Sequence, residues 1–471
     1  MRIAAILRLC LPPRPAFARM PSRLLSRLPA RPRVLLLAHA CSPARGSEEK
    51  VGWNRAVASA RHFETVVICR REPFEAEIRA HEAVAGPVAG LEWAFLGQSW
   101  PERVLARVPG GTWVGYNLWQ RRAFRLARRL DAAAPFDLVH HVNWVSFREP
   151  GYGWRLGRPF VLGPLGGTQN TPRRFLLSGG LAMALRESLR SVLNVVQLAA
   201  GRRLRRAART AAPFLAANST VQRDVRHWLG VESVRMLETG SGAVGAPRRW
   251  ADRQPGPVRL LWVGDCLNRK GAHLMIRAMQ RAERERPGAV VLRVFGDGPE
   301  RAAFARLPGV EAPGAIPHAA MQAAYAEADA LVFTSLRDTS GNVVLEALGQ
   351  GLPVVCLDHQ GVRDIVTPAC GIKVPVTTPR AAVAGLAAGI LAVGSDAEVY
   401  DRMSVAAVRR ARYYSWERSS EMLRRIYLAA LGLGPPVVAP PGTDALDLLD
   451  AEAPLFGDGC AAGIAAPRDV P

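Results

Sequence analysis

Lysine is almost missing from this chain. Of 62 basic residues in 471, only those at positions 50, 270 and 373 are lysine. So strong a bias toward arginine is read as GC-rich coding rather than as a nucleic-acid surface, and it makes each lysine more informative. Cysteine is scarce as well: the seven at positions 10, 41, 69, 266, 356, 370 and 460 form no C-x-x-C pair and no cluster with histidine. An odd, scattered set excludes a disulfide framework and a structural zinc site, and points to a reducing compartment. No stretch of eighteen apolar residues runs without a charge, so a spanning helix is not expected. Acids are absent before Glu48. The first thirty residues mix arginine with Pro, Leu and Ala and lack the apolar core and cleavage site of a secretory signal. Residues 1–31 are expected to form a flexible basic tail, either inert (Met20 could serve as the start) or touching a membrane.

What is present suits a large folded protein. Hydrophobic residues make up 49% and charged residues 22%, which supports a sizeable core and excludes global disorder. The length suggests two or three domains. A net charge of +22 favours anionic partners: nucleotides, acidic lipid or nucleic acid.

Two blocks alternate strand and helix patterns. In the first, strands are expected at 34–38, 65–69, 91–96, 136–140, 159–162 and 214–217, with a loop from His39 to Gly52 and a helix over 53–62. In the second, they are expected at 258–263, 290–295, 330–334 and 353–357. Such alternation implies βαβ units and parallel sheets, hence an α/β protein with two Rossmann-like domains facing across a cleft. The boundaries are 32–240 for the first domain, 241–256 for a Gly/Pro/Ala-rich linker and 257–415 for the second. A last helix covers 416–432, and 433–471 is expected to be a disordered tail.

Ligands of parallel sheets collect at the carboxyl ends of strands, beside helix N-termini. Three loops of the second block sit there. Ser340-Gly341-Asn342 opens a helix whose free N–H groups suit a diphosphate, and Gly341 lets that backbone come close. Asp338 lies on the loop in front, and Glu346 is five residues into the helix, so the two could bind separate hydroxyls of one ligand. The plainer alternative makes Asp338 a helix cap and Glu346 a surface acid. Arg269 and Lys270 can neutralise phosphate oxygens, one as a planar fork and the other as a point charge. Phe295-Gly296-Asp297-Gly298-Pro299 either holds a base or ribose or simply turns. His140 and His141 follow an apolar run. Either one points into the core, or one (taken as His140) lines a pocket.

Together, Gly264-x4-Arg269-Lys270-Gly271, Phe295-Gly296-Asp297-Gly298-Pro299, and Asp338-x7-Glu346 continuing into Ala-Leu-Gly-Gln-Gly-Leu-Pro-Val-Val resemble the C-terminal domain of retaining GT-B glycosyltransferases of family 4, the glycosyl transferases group 1. Arg45-Gly46-Ser47-Glu48 to Gly52-Trp53, Asp137 to His141, and Gly163-Pro164-Leu165-Gly166-Gly167 are similar to the first half of that group, and the resemblance spans roughly residues 33–430. It implies that Lys270, with Arg269, binds the diphosphate of a UDP- or GDP-sugar donor. It also implies that Glu346 holds the ribose, and that Asp338 contacts the transferred sugar. Amides near Ser340, Gly341 and Asn342 would face the diphosphate. The 45–52 loop, with Gly46 and Ser47, would close over the phosphates, and His140 would line the sugar pocket. Two positions depart from the pattern. Asp265 stands where the family has arginine, so it must turn away or be offset by Arg269. Asp338 replaces a glutamate and loses about 1 Å of reach.

The function implied is retaining hexosyl transfer to a hydroxyl acceptor, in polysaccharide or glycolipid biosynthesis, with no cofactor and, lacking an Asp-x-Asp motif at a strand end, no metal. A non-hydrolysing nucleotide-sugar epimerase and a catalytically silent nucleotide-sugar-binding protein are the alternatives. Between Arg173 and Arg226 stand eleven arginines against Glu187 and Asp224. Aromatics for base stacking are too far apart there, so no nucleic-acid partner is expected. The interval is read either as an arginine-heavy soluble surface or as a patch for an anionic membrane, suited to a lipid-linked acceptor. The expected location is cytoplasmic, in the second reading peripheral on the inner face of the membrane.

Overall fold

The computed structural model describes residues 31–437 and 443–451. The expected tail at 1–31 therefore lies, apart from Arg31, outside the described residues. Two parallel sheets organise the chain. The first contains β1 (Arg33–Ala38), β2 (Glu64–Arg70), β3 (Leu91–Leu96), β4 (Leu138–Asn143), β5 (Phe160–Leu165), β6 (Phe214–Ala216) and β7 (Val234–Arg235), in the order β3-β2-β1-β4-β5-β6-β7. The second contains β8 (Val258–Val263), β9 (Val290–Phe295), β10 (Val310–Gly314), β11 (Ala330–Phe333), β12 (Val354–Leu357) and β13 (Gly371–Val374), in the order β10-β9-β8-β11-β12-β13.

The inner strands are apolar on both faces because helices cover both. Val34, Leu35 and Leu36 of β1 are each wholly buried, although neighbours along a strand point opposite ways. Both orders reverse direction beside the first strand of each sheet, between β1 and β4 and between β8 and β11. A crevice opens at such a switch point. The ten expected strands are present. The three that the sequence pattern does not reveal, β7, β10 and β13, are all edge strands. An edge strand has one neighbour only, and here β7 is two residues long while β10 alternates half-buried and exposed positions, so the apolar signal is weaker.

Two expected boundaries are corrected. The helix expected over 53–62 begins at Ser47 and ends at Ala60, so the glycine-bearing loop becomes its first turns. Glu48 and Glu49 favour the positive end of the helix, and Gly52 is required within it. A Cβ on Gly52 would lie 2.1 Å from the Ala40 carbonyl oxygen. Strand β4 runs three residues beyond His140, to Asn143, which pairs with Ala38.

The chain crosses between the domains twice, side by side. Ser241 donates its N–H to the Tyr414 carbonyl at 2.9 Å and its hydroxyl to the Ala411 carbonyl at 2.6 Å. Residues 241–256 then run along the second domain, where the Arg248 guanidinium binds the carbonyls of Tyr325 at 2.8 Å, Ala328 at 2.6 Å and Gln350 at 2.7 Å. The last long helix, Trp416–Ala430, returns to the first domain and packs on the helix Ser47–Ala60. Arg55 is buried between them, donating to Ser419 Oγ at 2.8 Å and to the Leu237 carbonyl at 2.9 Å.

The tail expectation is corrected in part. Residues 443–451 include a short helix, Asp447–Ala451, and Ala445 and Leu446 are buried against the first domain. The segment borrows the edge of β7: Ala445 N–H bonds the Arg235 carbonyl at 2.8 Å. Residues 438–442 and 452–471 lie outside the described residues.

Phe295-Gly296-Asp297-Gly298-Pro299 is a close-packed turn. A Cβ on Gly296, at φ +136°, would lie 2.0 Å from the Gly264 carbonyl oxygen, and one on Gly298 would lie 2.7 Å from that of Cys266. Asp297 is spent on Arg301 at 3.0 Å and on the Ala315 N–H at 3.2 Å. Gly296→Ala is therefore expected to destabilise the second domain by about 2–4 kcal/mol, read as a lower thermal midpoint, whereas Gly242→Ala, with open space around it, should not.

Candidate active site

A cavity of about 290 Å³ opens where the two switch points face each other. Val145 beyond β4 and Glu238 beyond β7 line it from the first domain, together with Ser47, Glu48 and Val51 of the helix Ser47–Ala60. Gly264 beyond β8, Lys270, Phe333 at the end of β11 and the loop from Asp338 to Val343 line it from the second.

Lys270 ends a short 3-10 turn, Asn268–Lys270. Its following residue, Gly271 at φ +76°, is pressed so close to the sheet that a Cβ would lie 2.0 Å from the Thr334 carbonyl oxygen. The turn thus sits tightly against β11, and the Lys270 ammonium meets Asp338 Oδ2 at 2.5 Å. Asp338 is held in turn by Gln360, whose side chain accepts its N–H at 2.8 Å and donates to the Asn170 carbonyl of the first domain at 3.0 Å. Gly341 caps the helix Asn342–Gly349 in the left-handed region, where a Cβ would lie 2.9 Å from the Phe333 ring. The first amides of that helix lie at the cavity, where the dipole favours an anion.

Two carboxyls face this cation from the other domain. Glu48 accepts the Val145 N–H at 3.2 Å, and burial pushes its pKa up to about 7, with Glu238 nearby adding to the rise. Burial pushes Glu238 up to about 7 as well. A hydrogen bond from the Ser340 hydroxyl opposes that rise, and the charge of Asp338 adds to it. Asn143 ties this wall together, donating to the carbonyls of Ala40 at 2.7 Å and Glu48 at 3.2 Å. Ser47 and Gln360 are the two non-glycine residues with positive φ among those described, at 56° and 52°. Ser47 lines the cavity, and Gln360 holds the Asp338 N–H beside it.

Of the residues singled out in the sequence, Lys270, Asp338, Ser340, Gly341, Asn342 and Ser47 come together on this cavity. Gly46 adjoins it as the cap of the helix Ser47–Ala60, with open space around its Cα. Arg269 does not line it. It is turned to the rim, where its guanidinium pairs with Asp265 at 2.8 Å, so the unusual acid is offset by its neighbour. Glu346 lies farther along its helix with Oε2 held by the Tyr325 hydroxyl at 2.7 Å.

His140 is not in the pocket. Because β4 continues past it, its ring is wholly buried between the sheet and the returning helix. Nε2 lies 2.6 Å from the Gly163 carbonyl and Nδ1 2.5 Å from the Tyr427 hydroxyl. A carbonyl only accepts, so Nε2 carries the proton and Nδ1 receives the hydroxyl's hydrogen bond. Burial holds the pKa down at about 3, which keeps the ring neutral. His141 is also buried, packed by Gly151. Glu48 and Glu238 are the site residues that sequence reasoning missed. Glu48 stood inside a quoted motif, whereas Glu238 carried no local signal.

Residues 257–396 match the family described as Glycosyl transferases group 1. That match falls within the second domain and is a similarity to the family. A glycogen synthase from Mycobacterium tuberculosis is 31% identical over 212 residues, covering 43% of this chain and 50% of that relative. The chain thus spans half the length of that curated relative. A glycosyltransferase from Rickettsia africae superposes with a TM-score of 0.57 at 12% identity, covering 85% of this chain and 99% of that one. HepE from Anabaena, solved with UDP and glucose, superposes with a TM-score of 0.52 at 13% identity, covering 84% and 98%. These likenesses establish the GT-B fold, two parallel-sheet domains around a cleft. The cavity described above lies in that cleft.

Two expectations follow. Tyr427→Phe leaves a buried imidazole nitrogen unpaired, so it should lower stability by about 1–3 kcal/mol without altering ligand affinity at the cavity, measured by thermal unfolding and calorimetry. The second concerns pH. A carboxyl whose folded pKa lies above its unfolded value holds its proton longer in the native state, so its contribution is lost as pH rises from about 4.5 through 7. Glu238→Gln should therefore gain stability relative to the parent between pH 5 and pH 8, by up to a few kcal/mol. A difference that stays flat over that range would contradict it.

Proposed function

We propose that this chain is a retaining glycosyltransferase of the hexosyltransferase type. In this reading it moves a sugar from a UDP- or GDP-sugar to a hydroxyl acceptor in polysaccharide or glycolipid assembly. The observation that carries it is the Lys270 ammonium, 2.5 Å from Asp338 and beside the start of the helix Asn342–Gly349, inside the cleft. The group 1 match and the UDP and glucose bound by HepE support the same class of donor.

The donor diphosphate lies against Lys270 and the amides of Gly341 and Asn342. Asp338 holds the ammonium in place before binding and receives sugar hydroxyls once the phosphate takes the lysine's donors. The bond from the anomeric carbon to the phosphate oxygen breaks, and its electron pair stays on the diphosphate. The acceptor oxygen bonds the same face of the anomeric carbon and gives its proton to that phosphate oxygen. The protein's part is electrostatic: a fixed cation and fixed dipoles where charge grows on the leaving group. No metal enters this reading. Glu48 and Glu238, close to half-protonated at neutral pH, both donate to and accept from sugar hydroxyls.

Those two carboxyls also favour a second reading, a non-hydrolysing epimerase, which needs acid and base groups converging on the sugar. Product analysis with UDP- and GDP-sugars separates the two. A glycosylated acceptor with unchanged anomeric configuration supports transfer, free interconverted sugar supports epimerisation, and binding alone marks a silent relative. Lys270→Ala is expected to cut turnover by 10²–10³-fold, about 3–4 kcal/mol, while the chain remains folded. Near-parental turnover in that variant would remove the proposal. Donor affinity should also weaken from pH 6 to pH 8, as Glu48 and Glu238 lose protons beside the diphosphate.

A further inference from the structure

The helix Leu181–Ala200 is mounted the wrong way round for a core helix. Its inward side carries hydrogen-bonding residues beside Met183, Ala184 and Leu198. Glu187 accepts from the Thr171 hydroxyl at 2.9 Å and pairs with Arg337 at 3.0 Å. Asn194 donates to Asn170 Oδ1 at 2.7 Å, and Arg190 donates to the Gln169 carbonyl at 2.8 Å. Its apolar side faces outward. Leu181, Leu185, Leu189, Val192 and Val196 are 68%, 65%, 63%, 60% and 53% exposed. At 100° per residue these five fall within an arc of about 80°, and they run roughly 22 Å along the axis. Leu177, 71% exposed on the preceding 3-10 turn, lies just before the stripe in sequence. Among the described residues nothing covers this stripe, and so long an apolar face on a protein surface marks an interaction site.

The charge around it is of one sign. Arg173, Arg174, Arg186, Arg202, Arg206 and Arg209 are exposed, while the sole acid between 173 and 210, Glu187, is buried in its pair with Arg337. Arg202, Arg206 and Arg209 share one face of the helix Arg202–Thr210, which follows after Gly201. Apolar side chains flanked by arginines, with no exposed acid, complement an anionic lipid surface. A second copy of the same surface would bring like charges together. No single helix among those described is long and apolar enough to cross a membrane, so the helix would lie along one.

We infer that the helix Leu181–Ala200 docks this protein on an anionic bilayer, its leucines and valines entering the interfacial layer and the arginines meeting lipid headgroups. The inner side of the helix reaches Arg337, the residue before Asp338, so the helix is tied to the loop that lines the cavity. Delivery of a lipid-borne acceptor to that cavity rests on the transferase reading. The docking itself does not.

The test is flotation of the full chain with vesicles of phosphatidylcholine alone and with 30% phosphatidylglycerol, without any donor. Binding is expected to the anionic vesicles only and should weaken steeply with salt. Leu185→Glu with Leu189→Glu should abolish it, with the circular dichroism spectrum and thermal midpoint unchanged. Arg202→Gln, Arg206→Gln and Arg209→Gln together should lower partitioning on the order of a hundredfold at low salt. Three outcomes would overturn the inference: equal, negligible binding to both vesicles; binding that survives the double glutamate variant and so resides elsewhere, for example in residues 1–30; or a dimer in solution that the same variant dissolves. Turnover on a water-soluble acceptor in the docking variant tests the transferase reading separately, because that variant leaves the cavity intact.

Discussion

An ammonium and a carboxylate, carried on the loops after β8 and β11, meet at 2.5 Å in the middle of this molecule. That contact depends on the parallel arrangement of the strands. Parallel pairing sends every carboxyl end to the same side of a sheet, so the loops able to bind a ligand gather along one edge of each domain. It depends also on Gly271, where any side chain would strike the carbonyl of Thr334 and lift Lys270 away from the sheet. A cation held this way is oriented before any ligand arrives.

The loop that carries Asp338 is clamped from the opposite domain along its whole length. Arg337 pairs with Glu187, the Thr339 carbonyl accepts from Asn218 at 2.7 Å, and the Ser340 hydroxyl donates to Glu238. Gln360 adds a further bridge to the Asn170 carbonyl. The first domain thus fixes the geometry of a loop that the second domain supplies. Neither half alone would hold Asp338 where it is. The returning helix Trp416–Ala430 reinforces the arrangement, because Arg55, through its two terminal nitrogens, and His140 are hydrogen-bonded where they are buried against it.

The same clamp gives the helix Leu181–Ala200 its unusual orientation. Its polar residues are consumed in holding the 167–171 loop and Arg337, which leaves the leucines and valines facing solvent. A helix that turns its hydrogen-bonding residues inward leaves an apolar stripe outward. The arginines beside it limit what can cover that stripe.

Much of this architecture was legible in the order of residues. Apolar runs of four to six residues marked the inner strands, because a strand covered on both faces must be apolar throughout. Glycines that permit close backbone approach marked the loops at strand ends, and Lys270, Asp338 and Gly341 were readable there. Three of the four edge strands, β7, β10 and β13, were not readable, since a single neighbour imposes little pattern. Nor was the fate of individual side chains. His140 is engaged by a tyrosine 287 positions later, and Arg269 is drawn to the rim by Asp265. Glu238 becomes part of the cavity only because β7 ends opposite Ser340. The sequence by itself determined the two α/β units and the chemistry of their loops, because periodicity and backbone freedom are local properties. Which side chains share a cavity was decided by the tertiary structure alone, because burial and hydrogen-bond partners come from residues far away in the chain.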